Sequence, residues 1–178
     1  VHHRLEEAVL VNLALEIERD IGVTASIGLG PNKFLAKIAS DLDKPRGFAA
    51  IGPDEAVDFL ADRPVGIIAG VGPRLQAALE RTGVTQIHDL RAWEEAELVA
   101  RFGAMGRRLY HFARGHDTRP VEPNAPAKSI SAETTFDDDV SDPEELLRRL
   151  WPLCATVASR LKRADKAGRS VTLKLKTN

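Results

Sequence analysis

The chain has 178 residues, of which 43% are hydrophobic and 29% charged, and its formal net charge is −1, values that are ordinary for a globular protein. No apolar run approaches the ~18 residues that span a bilayer, and the acids within the opening VHHRLEEAVL argue against a signal peptide. The single cysteine, Cys154, excludes an internal disulfide and a cysteine-rich zinc site, so we expect a cytoplasmic protein that contacts no membrane.

The first third of the chain predicts part of an α/β layer. Apolar residues at helical spacing predict a helix over Leu5–Asp20, which Gly22 ends. Two short apolar segments, Val23–Gly30 and Phe48–Ile51, predict strands. Between them a second helix begins after Gly-Pro and ends before Lys-Pro. The predicted order is therefore helix, strand, helix, strand.

The second helix carries its lysines along one side. At about 100° per residue, Lys33, Lys37 and Lys44 lie within about 40° of one another, away from the apolar residues. A line of charge on a helix is usually a solvated face, and the nearby Asp41 favours that interpretation. Lys44 differs because Pro45 ends the helix beside it, and at such an end a cation can reach a triphosphate.

Residues 54–116 predict a unit of short helices separated by glycines. Within it, Ile67–Leu90 predicts two short helices joined by Ala69-Gly70-Val71-Gly72, with Pro73 starting the second. Glycines let a backbone approach a phosphate closely, and the first-turn amides of a helix lack intrahelical partners. The segment resembles a helix-hairpin-helix, which grips a DNA strand by its backbone. The alternative is a glycine-rich link between two core helices.

The last third begins with a linker. Residues 117–128 hold three prolines and no hydrophobic periodicity. A strand over Ser129–Phe136, a helix that starts at Pro143 after the cap Asp142, and a strand over Arg169–Thr177 are predicted next. Pro152 is expected to kink this helix or to mark its true start.

Charge is segregated in this last third. Residues 131–145 hold seven acids and no base, whereas residues 147–178 hold nine Lys or Arg and one acid. Hydroxyls and lysines on the solvent side of a sheet can bind phosphates without distinguishing between bases. The alternative is a solvent-exposed side of a sheet that binds nothing. The polar residues that alternation places there are Ser129, Ser131, Thr135, Thr172, Lys174 and Lys176. Arg107, Arg108 and Arg114 extend this basic surface or are simply exposed.

Three segments in order resemble the bacterial branch of the Y-family DNA polymerases: ASIGLGPNKFLAKIASDLDKPRG, GVGPRLQAALERTGV and KSISAETTFDDDVSD. The resemblance implies an α+β fold of four parts. Residues 1–52 would be the C-terminal part of a partial α/β palm layer, and 53–118 a small helical thumb with the helix-hairpin-helix. Residues 119–127 would be a linker, and 128–178 the N-terminal part of a little finger with a partial α/β sheet.

The implied activity of the parent protein is template-directed nucleotide addition, tolerant of damaged DNA, with two Mg²⁺ ions held by carboxylates. In the family, one such acid lies near the amino terminus and an adjacent Asp-Glu pair precedes the palm helix. No matching segment occurs here; Glu6-Glu7 is only superficially similar. We therefore expect no catalytic and no metal-binding residue in this fragment, and no polymerisation by the chain alone.

The resemblance also implies binding roles. Lys44 would contact the triphosphate of the incoming dNTP. Primer-template DNA would be held by the thumb and the little finger, by a set of residues that comprises Gly70, Val71, Gly72, Arg74, Arg108, Lys128, Ser129, Ile130, Thr172, Lys174 and Lys176. We expect a monomer, and any segment that recruits a sliding clamp is expected beyond Asn178.

Two other functions stay open at this point. The first is a non-catalytic, sequence-independent DNA-binding scaffold that uses the hairpin and the basic sheet. The second is a DNA glycosylase, a class that also uses a helix-hairpin-helix. A glycosylase requires an acid about a turn beyond the second hairpin helix, and Asp89 is barely in range.

Overall fold

The α/β part of the chain has the predicted order of elements. In the computed structural model, which describes residues 2–176, it comprises α1 (His2–Ile21), β1 (Ile27–Leu29), α2 (Lys33–Leu42) and β2 (Phe48–Ala50). The two strands pair in parallel, with Ile27 opposite Phe48, and α2 is the crossover helix that such a pair requires. A Cβ at Gly28 would lie 2.2 Å from the Ala36 carbonyl oxygen. Glycine there allows α2 to lie directly against β1.

Helix α2 is fixed by its cap and by one buried side. The Asn32 side chain accepts a hydrogen bond from the Leu35 amide at 3.0 Å, as a helix N-cap does. Of the apolar residues that the sequence places away from the lysines, Phe34, Leu35 and Ile38 are buried, together with Ala39, whereas Leu42 at the end of the helix is 37% exposed. The predicted separation of an apolar side from a charged side is confirmed for Lys33 and Lys37, whereas Lys44 lies beyond the last helical residue, Leu42.

The helical unit that follows is built around leucines. Leu60, Leu79, Leu98 and Leu109 are fully buried in one continuous core. Its elements are α3 (Ala56–Ala61), a 3₁₀ turn (Val65–Ile67), α4 (Pro73–Glu80), a second 3₁₀ helix (His88–Ala92), α5 (Glu95–Phe102) and α6 (Ala104–Phe112). The first arm of the predicted hairpin is therefore a 3₁₀ turn of three residues and not an α-helix.

The chain divides into two compact units, Val1–Val121 and Glu122–Asn178. The second unit is dominated by α7 (Pro143–Arg163), whose cap is Asp142, as predicted: its side chain accepts from the Glu144 amide at 3.1 Å. Pro152 lies inside this helix and does not mark its start. None of the residues of α7 is buried. None of the helices in the described part of the chain has the length and apolar character needed to cross a membrane.

The sheet predicted for the second unit is not formed in the described residues, so this prediction is wrong. Within residues 128–176, the segments predicted as strands have no regular secondary structure, and Thr177 lies outside the described residues. Val171 is 99% exposed and Leu173 67% exposed, so the apolar side of the predicted last strand is uncovered. A pair of strands without further strands or a covering layer is only marginally stable, whereas α7 makes its backbone hydrogen bonds internally.

Candidate nucleic-acid interface

The turn Ala69–Gly72, here called the glycine elbow, has a backbone that requires glycine. Gly70 has a φ of +104°, where an L side chain is strained. A Cβ at this position would also lie 3.2 Å from the Met105 side chain. Val71 anchors the elbow from within, since its side chain is 8% exposed and its amide donates to the Ile68 carbonyl at 2.8 Å.

The free donors of the elbow lie at the start of α4. Gly72 is the N-cap and has no side-chain cap, and Pro73 takes the first helical position. Among the hydrogen bonds of the described residues, none uses the amides of Gly72, Arg74 or Leu75 as donor. A Cβ at Gly72 would meet nothing within 4 Å, so the approach to these amides is open. Unpaired amides and the positive end of a helix favour an anion.

The Arg108 side chain lies next to the first residue of the elbow, Ala69. Its Nη2 lies 3.5 Å from the Ala69 carbonyl oxygen, and its guanidinium lies 5.3 Å from the centre of the Phe112 ring. Its Nε is buried and has no hydrogen-bond partner among the described residues. Arg108 therefore adds positive charge at the elbow while it packs against the protein, unlike the exposed Arg74.

The lysines of α2 are engaged by the protein. Lys33 Nζ donates to the Pro120 carbonyl at 3.1 Å. Lys37 and Lys44 both pair with Asp41, with 2.6 Å between Lys44 Nζ and Asp41 Oδ1. These contacts, Lys37 first and Lys44 second, lower the pKa of Asp41. Lys44 remains 60% exposed on the turn after α2, and since exposed ion pairs contribute at most about 1 kcal/mol, a polyanion can displace Asp41.

The predicted contacts of the second unit lie on irregular chain. Lys128, Ser129, Thr172, Lys174 and Lys176 are exposed, and Ile130 is half-buried. The regular alternation that would align them on one side of a sheet is not formed in the described residues. Two basic side chains that we did not predict as site residues bind the backbone near Lys128 and Ser129. Arg160 Nη1 donates to the Ser131 carbonyl at 2.5 Å and Lys166 Nζ to the Ala127 carbonyl at 2.8 Å.

The acid considered for a glycosylase has a structural role. The Asp89 carboxylate accepts from the Gln86 amide at 2.8 Å and from the Thr85 amide at 2.9 Å. These two hydrogen bonds lower its pKa, so Asp89, in the first turn of the second 3₁₀ helix, is held ionised by the backbone just before that helix.

The part of the chain that the structure describes shows no group of side chains suited to bind a metal ion. Residues 7–176, whose side chains the structure describes, contain no group of three or more His, Cys, Asp or Glu side chains arranged to hold an ion. Asp41 and Asp117 are each engaged by cationic side chains. The residues present thus do not fit a two-metal site.

Models of known protein families match three successive segments of the chain. Models of the impB/mucB/samB family match residues 2–41, and the C-terminal domain of that family matches residues 127–178. Between them, a model described as the DNA polymerase-iota thumb domain matches residues 68–117, which include the elbow. The chain belongs to the Y-family of DNA polymerases. The predicted resemblance is thereby confirmed.

Curated relatives carry the name DNA polymerase IV. That of Caulobacter vibrioides is 51% identical over 99% of this chain, and that of Brucella melitensis is 49% identical over 99%. The chain spans 44% and 40% of the length of these two relatives, respectively.

Solved structures of Y-family polymerases share the fold. A chimera of the polymerases Dbh and Dpo4 has a TM-score of 0.71 at 28% identity, over 87% of this chain and 45% of the chimera. DinB from Sulfolobus solfataricus has a TM-score of 0.60 at 32% identity, over 65% of this chain and 34% of DinB. The α+β fold class predicted from the sequence is confirmed.

Proposed function

We propose that this chain is the DNA-holding portion of an error-prone translesion DNA polymerase that acts in DNA repair. In this proposal residues 1–52 form the late palm, 53–118 the thumb, 119–127 the linker and 128–178 the first half of the little finger. The family membership and the order of the matched models support it. The parent enzyme would add nucleotides to a primer with two Mg²⁺ ions, held by carboxylates that the described residues do not supply.

The observation that carries the proposal is the open glycine elbow. Its unpaired amides are accompanied by the exposed Arg74 and by the Arg108 guanidinium next to Ala69, and a Cβ at Gly72 would meet no protein atom within 4 Å. Such donors bind the phosphates of a DNA strand and ignore its bases. Lys44, exposed at the end of α2, would bind the triphosphate of an incoming dNTP. Lys128, Ser129, Ile130, Thr172, Lys174 and Lys176 would add contacts to template and duplex.

A DNA titration with a glycine variant tests the elbow. Gly72→Ala keeps the fold, because a methyl group there meets no protein atom within 4 Å, but it narrows the approach to the amides. Loss of one charge-assisted hydrogen bond costs about 1.5 kcal/mol, so we expect about tenfold weaker binding of a duplex by fluorescence anisotropy. Gly52→Ala is the matched control, since its Cβ would make only an ordinary contact at 3.5 Å with Glu55. Equal affinities for the two variants would remove the elbow from the interface.

The salt dependence of binding tests the wider basic surface. We expect affinity for the duplex to be independent of sequence and to fall steeply with salt, as counterion release requires. The double variant Arg108→Ala with Lys174→Ala should reduce the slope of log K against log salt by about 2 if both side chains neutralise a phosphate. An unchanged slope would show that the surface is wrongly chosen.

Primer extension separates the polymerase from the alternative of a non-catalytic scaffold only in part. We expect the purified chain, with Mg²⁺ and all four nucleotides, to bind primer-template and to extend nothing. Robust extension would contradict the assignment as a DNA-holding portion. A polymerase parent additionally predicts that dNTP binding depends on Lys44, so loss of dNTP affinity in Lys44→Ala favours the polymerase, and an unaltered or absent affinity favours the scaffold.

A further inference from the structure

The last residue of α6 and the segment after it, residues 112–120, fold back onto the first turn of α2. The Phe34 and Phe112 rings stack with their centres 4.2 Å apart and their planes at 7°. Asn32 Nδ2 donates to the Gly115 carbonyl at 2.8 Å, in addition to its role as the helix cap. The start of α2 is therefore joined to the end of the helical unit by an aromatic and a polar contact.

An ion pair between the covered carboxylate of Asp117 and the half-exposed guanidinium of Arg119 lies beside this junction. The Asp117 side chain is only 2% exposed and that of Arg119 49% exposed, and Arg119 donates to the carboxylate through two guanidinium nitrogens, Nη2 at 2.7 Å and Nε at 2.8 Å. Arg119 first, and the Phe34 amide to a smaller extent, lower the pKa of Asp117. The pair orders the segment itself, since its two members are two residues apart, and the hydrogen bond from the Phe34 amide to the Asp117 carboxylate joins the ordered segment to the first turn of α2.

The same arginine connects the junction to the elbow. The Arg119 guanidinium lies 5.4 Å from the centre of the Phe112 ring and that of Arg108 lies 5.3 Å from it. Arg108 in turn lies 3.5 Å from the Ala69 carbonyl oxygen of the elbow. A continuous set of contacts thus runs from the first turn of α2 to the elbow.

We infer that Asp117 and Arg119 are positioning residues of the DNA grip. They hold α2, with Lys44 beyond its end, in a fixed relation to the glycine elbow, while neither contacts the ligand itself. This inference rests on the proposed function for its consequence in DNA binding. Its structural content, a rigid relation between α2 and α4 that depends on the Asp117–Arg119 pair, stands without it.

A distance measurement between two spin labels tests the structural content directly. The labels replace Lys37 on α2 and Arg81 at the end of α4, both exposed, in a Cys154→Ser background. We expect one narrow distance distribution that becomes roughly twofold broader in Asp117→Asn, because the helices then sample several relative positions. Asp20→Asn is the matched control: Asp20 makes the same two-nitrogen contact with Arg19, at 2.7 and 3.1 Å, on an exposed surface.

DNA affinity supplies the functional readout. Asp117→Asn should bind a duplex about threefold more weakly, because only a fraction of molecules then has the competent arrangement. The salt slope should stay unchanged, since no phosphate contact is removed; a lower slope would make Asp117 or Arg119 part of the contact surface and overturn a positioning role.

The remaining outcomes of these experiments also test the inference. If Asp117→Asn does not fold by circular dichroism, Arg119→Lys takes its place, because it keeps the charge and loses the fork. A distribution as narrow as that of Asp20→Asn in the folded variant overturns the inference. If the unaltered chain binds no DNA, the proposed function fails, and the label distances still test the rigid relation.

Discussion

The two compact units of this chain are stabilised in different ways. In the first, the described buried hydrophobic residues all lie between Phe34 and Ala113 and form one core. In the second, α7 has no buried residue and is held by its cap and by ion pairs along its own surface, such as Arg149 with Glu145 at 2.7 Å. Apolar packing supports the first unit, whereas a cap, ion pairs and hydrogen bonds of exposed side chains support the second, so the same type of substitution should have different effects in each.

The largest contrast is expected from removing one leucine in each unit. Leu109→Ala creates a cavity at a fully buried site and should lower the free energy of unfolding by about 2–5 kcal/mol. Leu147→Ala in α7, where the side chain is 65% exposed, should change it by no more than about 0.5 kcal/mol. Urea denaturation followed by the fluorescence of Trp93, in a Trp151→Phe background, measures Leu109→Ala in the first unit, and the loss of helical circular dichroism in urea measures Leu147→Ala in the second. Similar losses for both variants would mean that Leu147 is packed in solution.

Acid should weaken the first unit through Asp117. Its pKa is lowered in the folded state by Arg119, so its ionised form stabilises the fold at a pH above the ordinary carboxyl value of about 3.9. That contribution is lost as the pH falls through the lower, folded pKa. We expect the urea midpoint reported by Trp93 to fall on acidification below about pH 4.

The matching variant isolates this carboxyl from the others. In Asp117→Asn the same midpoint should start lower at neutral pH and fall less on acidification. Parallel pH profiles for the variant and the unaltered chain would assign the acid sensitivity to other groups.

The contrast between the units also explains which parts of the structure could be predicted from the sequence. Helices α2 and α7 were predictable because their caps, Asn32 and Asp142, and their apolar spacing are local signals. The strand predicted over 169–177 required cover for Val171 and its alternate neighbours, which the described chain does not provide. Alternation in a sequence indicates a capacity to form a strand and gives no information on whether a partner is present.

The candidate site was predictable to a similar extent. The glycine elbow follows from glycine spacing and from Pro73 at a helix start. The role of Arg108 behind the elbow and the pairing of Lys44 with Asp41 depend on side-chain positions in space. Asp117 and Arg119 lie at the edge of a proline-rich segment that was predicted as a linker, and two charges spaced by one residue carry no signal of burial.

An effect of intermediate size is expected at the cap of α7. Asp142→Ala removes the hydrogen bond to the Glu144 amide and should destabilise the helix by about 1 kcal/mol. Because no buried side anchors α7, its first turn should fray, and the helical signal in far-ultraviolet circular dichroism should decrease while Trp93 fluorescence stays constant. Ser141→Ala, at the neighbouring exposed position, is the control. A shift in the Trp93 transition would show that the two units do not unfold independently.

The smallest effect on stability is expected from the surface ion pairs, in either unit. Asp41 pairs with Lys37 and Lys44, and Glu145 pairs with Arg148 and Arg149. Asp41→Asn and Glu145→Gln should each lower the free energy of unfolding by less than about 1 kcal/mol, since exposed pairs contribute little.

The two variants should differ in triphosphate binding, which sharpens the contrast. Asp41→Asn frees Lys44 for an anion, and removing one nearby negative charge should tighten binding of inorganic triphosphate about two- to fivefold at low salt, with the gain lost as salt is added. Calorimetric titration measures both variants. An equal gain in triphosphate affinity in Glu145→Gln would show that any released cation attracts the ligand. The end of α2 would then not be a specific nucleotide site.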